Sequence, residues 1–216
     1  MRTVIAGGHG QIALRLERRL AGRGDSVVGL IRNPAQAEDL RAVGAEAAVV
    51  DLESASVEEV AAVLRGADAA VFAAGAGAGS GADRKLTVDR DAAVLLADAA
   101  EQAGVRRFLV VSSMGAHAEA TYPDAVFQAY LRAKGAADDA IRARDALDWT
   151  ILRPGALTDT PGTSRIRLAP STGRGSIPRE DVATTLAALL DTPATAGLTL
   201  ELISGDTPID EAVTNA

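Results

Sequence analysis

Tyr130 and Lys134 stand four residues apart in AYLRAKGAADDA, and the chain holds only two tyrosines, Tyr122 and Tyr130, and two lysines, Lys85 and Lys134. On a helix that spacing puts both side chains on one face. Phe127, Tyr130, Lys134, Ala137 and Ile141 fall on a single stripe, so the lysine lies on the buried side. A buried ammonium needs oxygen partners. The tyrosine and the hydroxyls of a bound ligand would supply them. A neighbouring ammonium in turn favours the phenolate, which suits Tyr130 to give and take a proton as a general acid. Two hydroxyls precede the pair in VVSSMG, at the end of a strand-like run: Ser112 and Ser113. Either can hydrogen-bond a substrate oxygen, and spacing alone does not rank them, although Ser113 is preferred.

A second constellation lies near the start of the chain. A β-branched run leads into GGHGQIA, Gly7 to Ala13, and then directly into a helical period. The spacing G-x-x-G-x-x-A departs from G-x-G-x-x-G, but its small residues still permit a tight turn and close approach of a pyrophosphate to a helix N-terminus. Gly7, Gly8, His9, Gly10, Gln11 and Ile12 are therefore candidate contacts of a dinucleotide. The next strand-like run ends at Arg32, where a cofactor with a free 2′-hydroxyl usually meets an acid. A guanidinium there suits a 2′-phosphate, so NADP is favoured over NAD. Asp51, followed by Leu52, either accepts from the adenine amino group or caps the following helix. In AAGAGAGSGAD, Ala73, Ala74 and Gly75 stand close enough to a strand end to pass beneath the cofactor ribose.

These residues need a scaffold that brings strand ends to one edge. Short apolar runs expected as strands are Thr3–Ala6, Ser26–Ile31, Ala47–Val50, Ala69–Phe72, Arg107–Val111, Trp149–Arg153 and Leu198–Ile203. Helical periods run roughly over Gln11–Arg23, Pro34–Val43, Val57–Leu64, Thr87–Ala103, Phe127–Ala146 and Arg179–Leu190. Alternation of this kind reads as a doubly wound α/β fold with a parallel sheet, in one domain over 1–216. The stretch from Pro154 to Pro178 reads as a long irregular loop on the substrate side. Gly135, inside the Tyr130 helix, costs roughly 1 kcal/mol against alanine and marks close packing against another helix or a partner chain.

Composition narrows the chemistry. A formal charge of −7 offers no basic stripe for nucleic acid. The chain contains no cysteine, and its only histidines are His9 and His117, so thiolate or histidine-rich metal sites and disulfides are not expected. His117 reads as an exposed loop residue, with substrate contact as the alternative. No leader pattern and no run of about 18 apolar residues occurs, so a cytoplasmic protein with a small-molecule substrate and no membrane partner is expected. Its oligomeric state is left open.

The chain resembles the atypical short-chain dehydrogenase/reductases of the NAD(P)H-binding, NmrA-like group, often labelled NAD-dependent epimerase/dehydratase. The likeness rests on GGHGQIA, RNP after the second strand, Val88-Asp89, VVSSMGA, YLRAK, DWTILRPGALTD from Asp148 to Asp159, and REDVA from Arg179 to Ala183. It implies a Rossmann fold, a catalytic set at Ser113, Tyr130 and Lys134, and Pro154, Gly155, Ala156 and Leu157 against the nicotinamide. Ser112 is included among the cofactor contacts. Many members of that group lack the tyrosine, and its presence here favours an oxidoreductase acting on a small carbonyl, quinone or flavin-like acceptor. The alternatives are a nucleotide-sugar epimerase or dehydratase and a non-catalytic NADP sensor acting on a protein partner.

Overall fold

Strands built from Val, Ile, Leu and Ala without polar alternation must be buried on both faces, and the computed structural model, which describes residues 1–77 and 79–216, stacks them side by side. The seven expected strands are β1 (Arg2–Ala6), β2 (Ser26–Ile31), β3 (Glu46–Val49), β4 (Ala69–Phe72), β5 (Arg107–Val111), β6 (Asp148–Pro154) and β10 (Leu198–Ser204). They pair in parallel in the order β3-β2-β1-β4-β5-β6-β10. The helices between them divide over the two faces. α1 (Gln11–Gly22), α2 (Ala37–Ala42), α7 (Arg179–Leu190) and α8 (Ile209–Thr214) cover one face, where Leu16, Leu20, Leu40, Leu186 and Val213 are buried. α3 (Val57–Leu64), α5 (Ala92–Ala103) and α6 (Ala125–Arg142) cover the other through Val60, Leu64, Leu96 and Ile141.

Several boundaries differ from expectation. The first part of the α2 period, Pro34–Gln36, is a 3₁₀ turn capped by Asn33. The helix expected from Thr87 starts earlier, with a short α turn, α4 (Ala82–Arg84), and a π-helical segment, Lys85–Asp91, leading into α5. π segments are frequent at functional sites. The stretch expected to be irregular contains three strands. β7 (Ala156–Thr158) pairs in parallel with β9 (Ser176–Pro178), while β8 (Arg165–Ala169) runs antiparallel to β10 and carries β11 (Thr207–Pro208) at the sheet edge. Buried Asp181 in α7 ties this region down, because its carboxylate accepts from the Thr163 and Ser164 amides at 2.9 Å each. Among the described residues, no helix is long and apolar enough to cross a membrane.

Within this chain Gly135 packs against a loop rather than a helix. A Cβ there would lie 2.2 Å from the His117 carbonyl carbon, so the glycine admits the loop that follows β5 onto α6.

One core residue works against the fold. Glu17 on α1 is fully buried beneath the glycine turn, and neither carboxylate oxygen has a hydrogen-bond partner among the described residues. Burial pushes its carboxyl from 4.5 up to about 8. The folded state then binds the proton more tightly than the unfolded chain, so stability falls as pH rises between those two values. Glu17→Met keeps the volume and removes the charge. The variant is expected to lose much less melting temperature than the parent between about pH 5 and about pH 9, with an advantage at the alkaline end on the order of a few kcal/mol. Parallel melting curves for the two proteins across that range would refute the account.

Candidate functional site

The sheet order reverses between β1 and β4, which opens a crevice beyond their carboxyl ends. The glycine turn lies there. Gly7 has φ 79°, and a Cβ on it would sit 2.7 Å from the Ala74 Cα, so the exits of β1 and β4 touch backbone to backbone. The Gly10 amide donates to the Gly7 carbonyl at 2.7 Å, and Gly10, as the residue preceding α1, has no side chain to occupy the helix's first amides. With no acidic residue in the first turn, those amides and the helix dipole suit an anion such as a pyrophosphate. Gly8 faces elsewhere: its amide donates to the Leu30 carbonyl and its Cα is pressed against Gly29, so it seats the turn on β2. Gln11 is exposed at the start of α1 and lies outside the groove lining.

Two cavities of about 1380 and 270 Å³ share Gly10 and the segment Ala73 to Ala76, and together form one groove. Ala78, within the glycine-rich loop read from the sequence, lies outside the described residues. Gly7, His9, Arg32, Asp51 and Leu52 line the smaller cavity. His9 Nε2 lies 2.7 Å from Asp39 Oδ2. Asp51 does not cap α3, because Ser56 and Glu59 form a reciprocal capping box there; its carboxylate instead accepts from the Glu53 amide. Arg32 Nη1 reaches Glu53 Oε2 at 3.3 Å. An acid therefore does stand beside Arg32, delivered from the turn that follows β3. A hydrogen bond from Arg84, opposed by partial burial, holds the Glu53 carboxyl below the usual carboxylate range.

Ile12, Ser112, Ser113, Tyr130, Lys134 and the run Pro154 to Leu157 line the larger cavity. Gly155 lets two strand ends meet there, since a Cβ would lie 2.4 Å from the Gly175 carbonyl oxygen. The hydroxyls of the two serines have different surroundings. Ser112 is buried and donates to Asp138 Oδ2 at 2.9 Å, the same oxygen that receives Arg153 Nε and Nη2 at 2.9 and 2.7 Å. Burial pushes the Asp138 carboxyl up against the opposing pull of Arg153. Ser113 is half-buried, and among the described residues its hydroxyl reaches only the neighbouring Met114 carbonyl, at 3.3 Å. The Ser112 hydroxyl is thus committed to the scaffold. That of Ser113 remains on the cavity wall.

Lys134 is 3% exposed, as its position on the stripe requires, but the protein itself supplies its oxygens. The ammonium lies 3.3 Å from Asp89 Oδ1 and donates to the Ala74 and Val111 carbonyls at 3.3 and 3.2 Å. The Tyr130 hydroxyl is not among these partners. Asp89, on the π segment, is itself 1% exposed, and its other oxygen accepts from the Ala76 amide at 3.3 Å. The cation over the Tyr130 ring is Lys85, 5.6 Å from the centroid and bound to the Gly77 carbonyl at 2.9 Å. Both lysines of the chain therefore line one cavity. The rarity that singles out Lys134 in the sequence applies equally to Lys85, and would have found it. Tyr122, Phe127 and Tyr130 cluster along the same wall, the first pair edge-to-face and the second tilted, with successive ring centroids 4.6 and 5.7 Å apart. His117 is exposed at the rim.

The chain has counterparts among known proteins. The chain is 40% identical over 214 residues to an uncharacterised sugar epimerase, YhfK, of Bacillus subtilis strain 168, covering 99% of each chain. A structure from Bacillus halodurans, provisionally described as an NAD-dependent epimerase/dehydratase, is 35% identical with a TM-score of 0.91 over the whole of both chains. The oxidoreductase ylbE of Lactococcus lactis is 30% identical with a TM-score of 0.86, over 100% of this chain and 96% of that one. The family model described as NAD(P)H-binding matches residues 7–193, the span that carries the glycine turn, the buried lysine and both cavities' strand ends. The chain belongs to the NAD(P)H-binding family, with a Rossmann-type fold.

Proposed function

We propose that this protein is an NADPH-dependent oxidoreductase that reduces a small carbonyl, quinone or flavin-like acceptor. The observation that carries the reading is the continuous groove from Arg32, past the amides of α1, to Ser113, Tyr130 and Lys134. Arg32 suits the 2′-phosphate, Gly7 and Gly10 the pyrophosphate, and Asp51 and Leu52 the adenine. Lys134, anchored by Asp89, can turn an N–H from the Ala74 or Val111 carbonyl to the ribose hydroxyls. When bound, the dihydronicotinamide supplies the hydride. Tyr130 gives its phenolic proton to the acceptor oxygen as negative charge develops there, and Ser113 donates a hydrogen bond to the same oxygen. The Tyr122, Phe127 and Tyr130 wall suits a planar acceptor. A sugar epimerase, the description carried by the YhfK relative, fits less well. The described elements that follow β6 are the β7 and β9 pair and β8, β10, β11, α7 and α8, which complete the sheet and its helical layer rather than forming a separate lobe over the groove.

Nicotinamide fluorescence titrations test the cofactor assignment. NADPH is expected to bind about 10- to 100-fold more tightly than NADH, the worth of one or two charge-assisted hydrogen bonds, and Arg32→Ala is expected to remove most of that difference. Equal affinities in the parent would remove the NADP assignment. Tight NADPH binding with no oxidation by any acceptor in a broad screen would instead support the sensor reading.

A further inference from the structure

The adenosine end of the groove holds more charge than Arg32 alone accounts for. Glu53 collects two guanidiniums from different elements: Arg32 Nη1 at 3.3 Å and Arg84 Nη2 at 2.6 Å reach the same oxygen, Oε2. Arg84 Nε at 3.3 Å and Thr87 Oγ1 at 2.8 Å reach the other. Both arginines line the smaller cavity, and their side chains are 57% and 37% exposed, so these pairs cost little to open. Two cations share one carboxylate, and the charge of the nearby Asp51 also acts on Arg84, so both guanidiniums are balanced while Glu53 stays in place. The nearby Asp51 carboxylate is engaged by the Glu53 amide.

We infer that Arg84 is the second guanidinium, with Arg32, for the ribose 2′-phosphate, and that Glu53 is the anion this phosphate displaces. The inference rests on the NADPH reading above. A phosphate monoester brings nearly two charges and three acceptor oxygens, where a carboxylate brings one charge and two oxygens. Exchange at the guanidiniums therefore favours the phosphate. A 2′-hydroxyl carries no charge and leaves the Glu53 pairs closed. Arg84 raises the preference for NADPH by attraction, and Glu53 limits it by competition.

Calorimetric titration with 2′,5′-ADP, 5′-AMP, NADPH and NADH reads this directly, because the first two report on the adenosine end without the nicotinamide. Arg84→Ala is expected to weaken 2′,5′-ADP and NADPH about tenfold and to change 5′-AMP and NADH by less than about twofold. Glu53→Gln is expected to tighten the two ligands that carry a 2′-phosphate, 2′,5′-ADP and NADPH, by roughly threefold or more. An unchanged NADPH to NADH ratio in Arg84→Ala, or weaker NADPH binding in Glu53→Gln, overturns the inference. If Arg32→Ala removes the preference while Arg84→Ala leaves it unchanged, the NADPH reading stands and the role given to Arg84 falls. If the parent binds NADPH and NADH equally and no variant alters the ratio, both fall.

Discussion

Lys134→Met is expected to lower both stability and cofactor affinity, and the two losses are separable. The methionine keeps the length and apolar stem of the side chain, but it leaves the Asp89 carboxylate, 1% exposed, without its cation. Removing one partner of a buried ion pair typically costs about 3–5 kcal/mol. Combining Lys134→Met with Asp89→Asn removes the stranded charge, and the asparagine oxygen can still accept from the Ala76 amide. Most of the lost stability should return in the double variant. Cofactor affinity should not, because the ammonium proposed to meet the ribose is still missing. Urea unfolding of parent, single and double variants, beside NADPH titrations of each, measures both quantities. A single variant as stable as the parent would remove the structural role of the pair. A double variant that binds NADPH like the parent would show that Lys134 does not reach the ribose.

Tyr130→Phe is expected to slow acceptor reduction by about 10²- to 10⁴-fold, the usual worth of a positioned general acid. NADPH affinity should stay within about twofold of the parent, since the loss falls on transition-state stabilisation. The phenylalanine retains the ring that packs 5.7 Å from Phe127 and lies beneath the Lys85 ammonium, so neither the wall nor the cation–π contact is lost. Single-turnover oxidation of bound NADPH separates chemistry from product release. An unchanged single-turnover rate would reassign the proton to another donor on the cavity wall.

Much of the scaffold was legible because burial on both faces leaves a local mark. Runs such as TVIA and RFLVV need no knowledge of their neighbours to be read as central strands, and the parallel order follows from the helical crossovers between them. The glycine turn and the Tyr130 and Lys134 spacing were legible for the same reason, since each is a short-range pattern tied to one strand end or one helix face. The strands within Pro154–Pro178 were not. They hold three to five residues each, and β8 forms by antiparallel pairing with β10 and β11, more than thirty positions later in the chain.

The sequence by itself determined that a parallel sheet would carry a dinucleotide turn and a buried lysine. Only the tertiary structure decided what that lysine touches and which serine hydroxyl remains on the cavity wall. Asp89 reaches Lys134 across 45 positions and Asp138 takes the Ser112 hydroxyl from a different element, while Glu53 meets Arg32 and Arg84 from the turn that follows a third strand. Charges pair by distance in space, and period and spacing report only neighbours along the chain. The partners of a buried charge are therefore settled when the sheet closes.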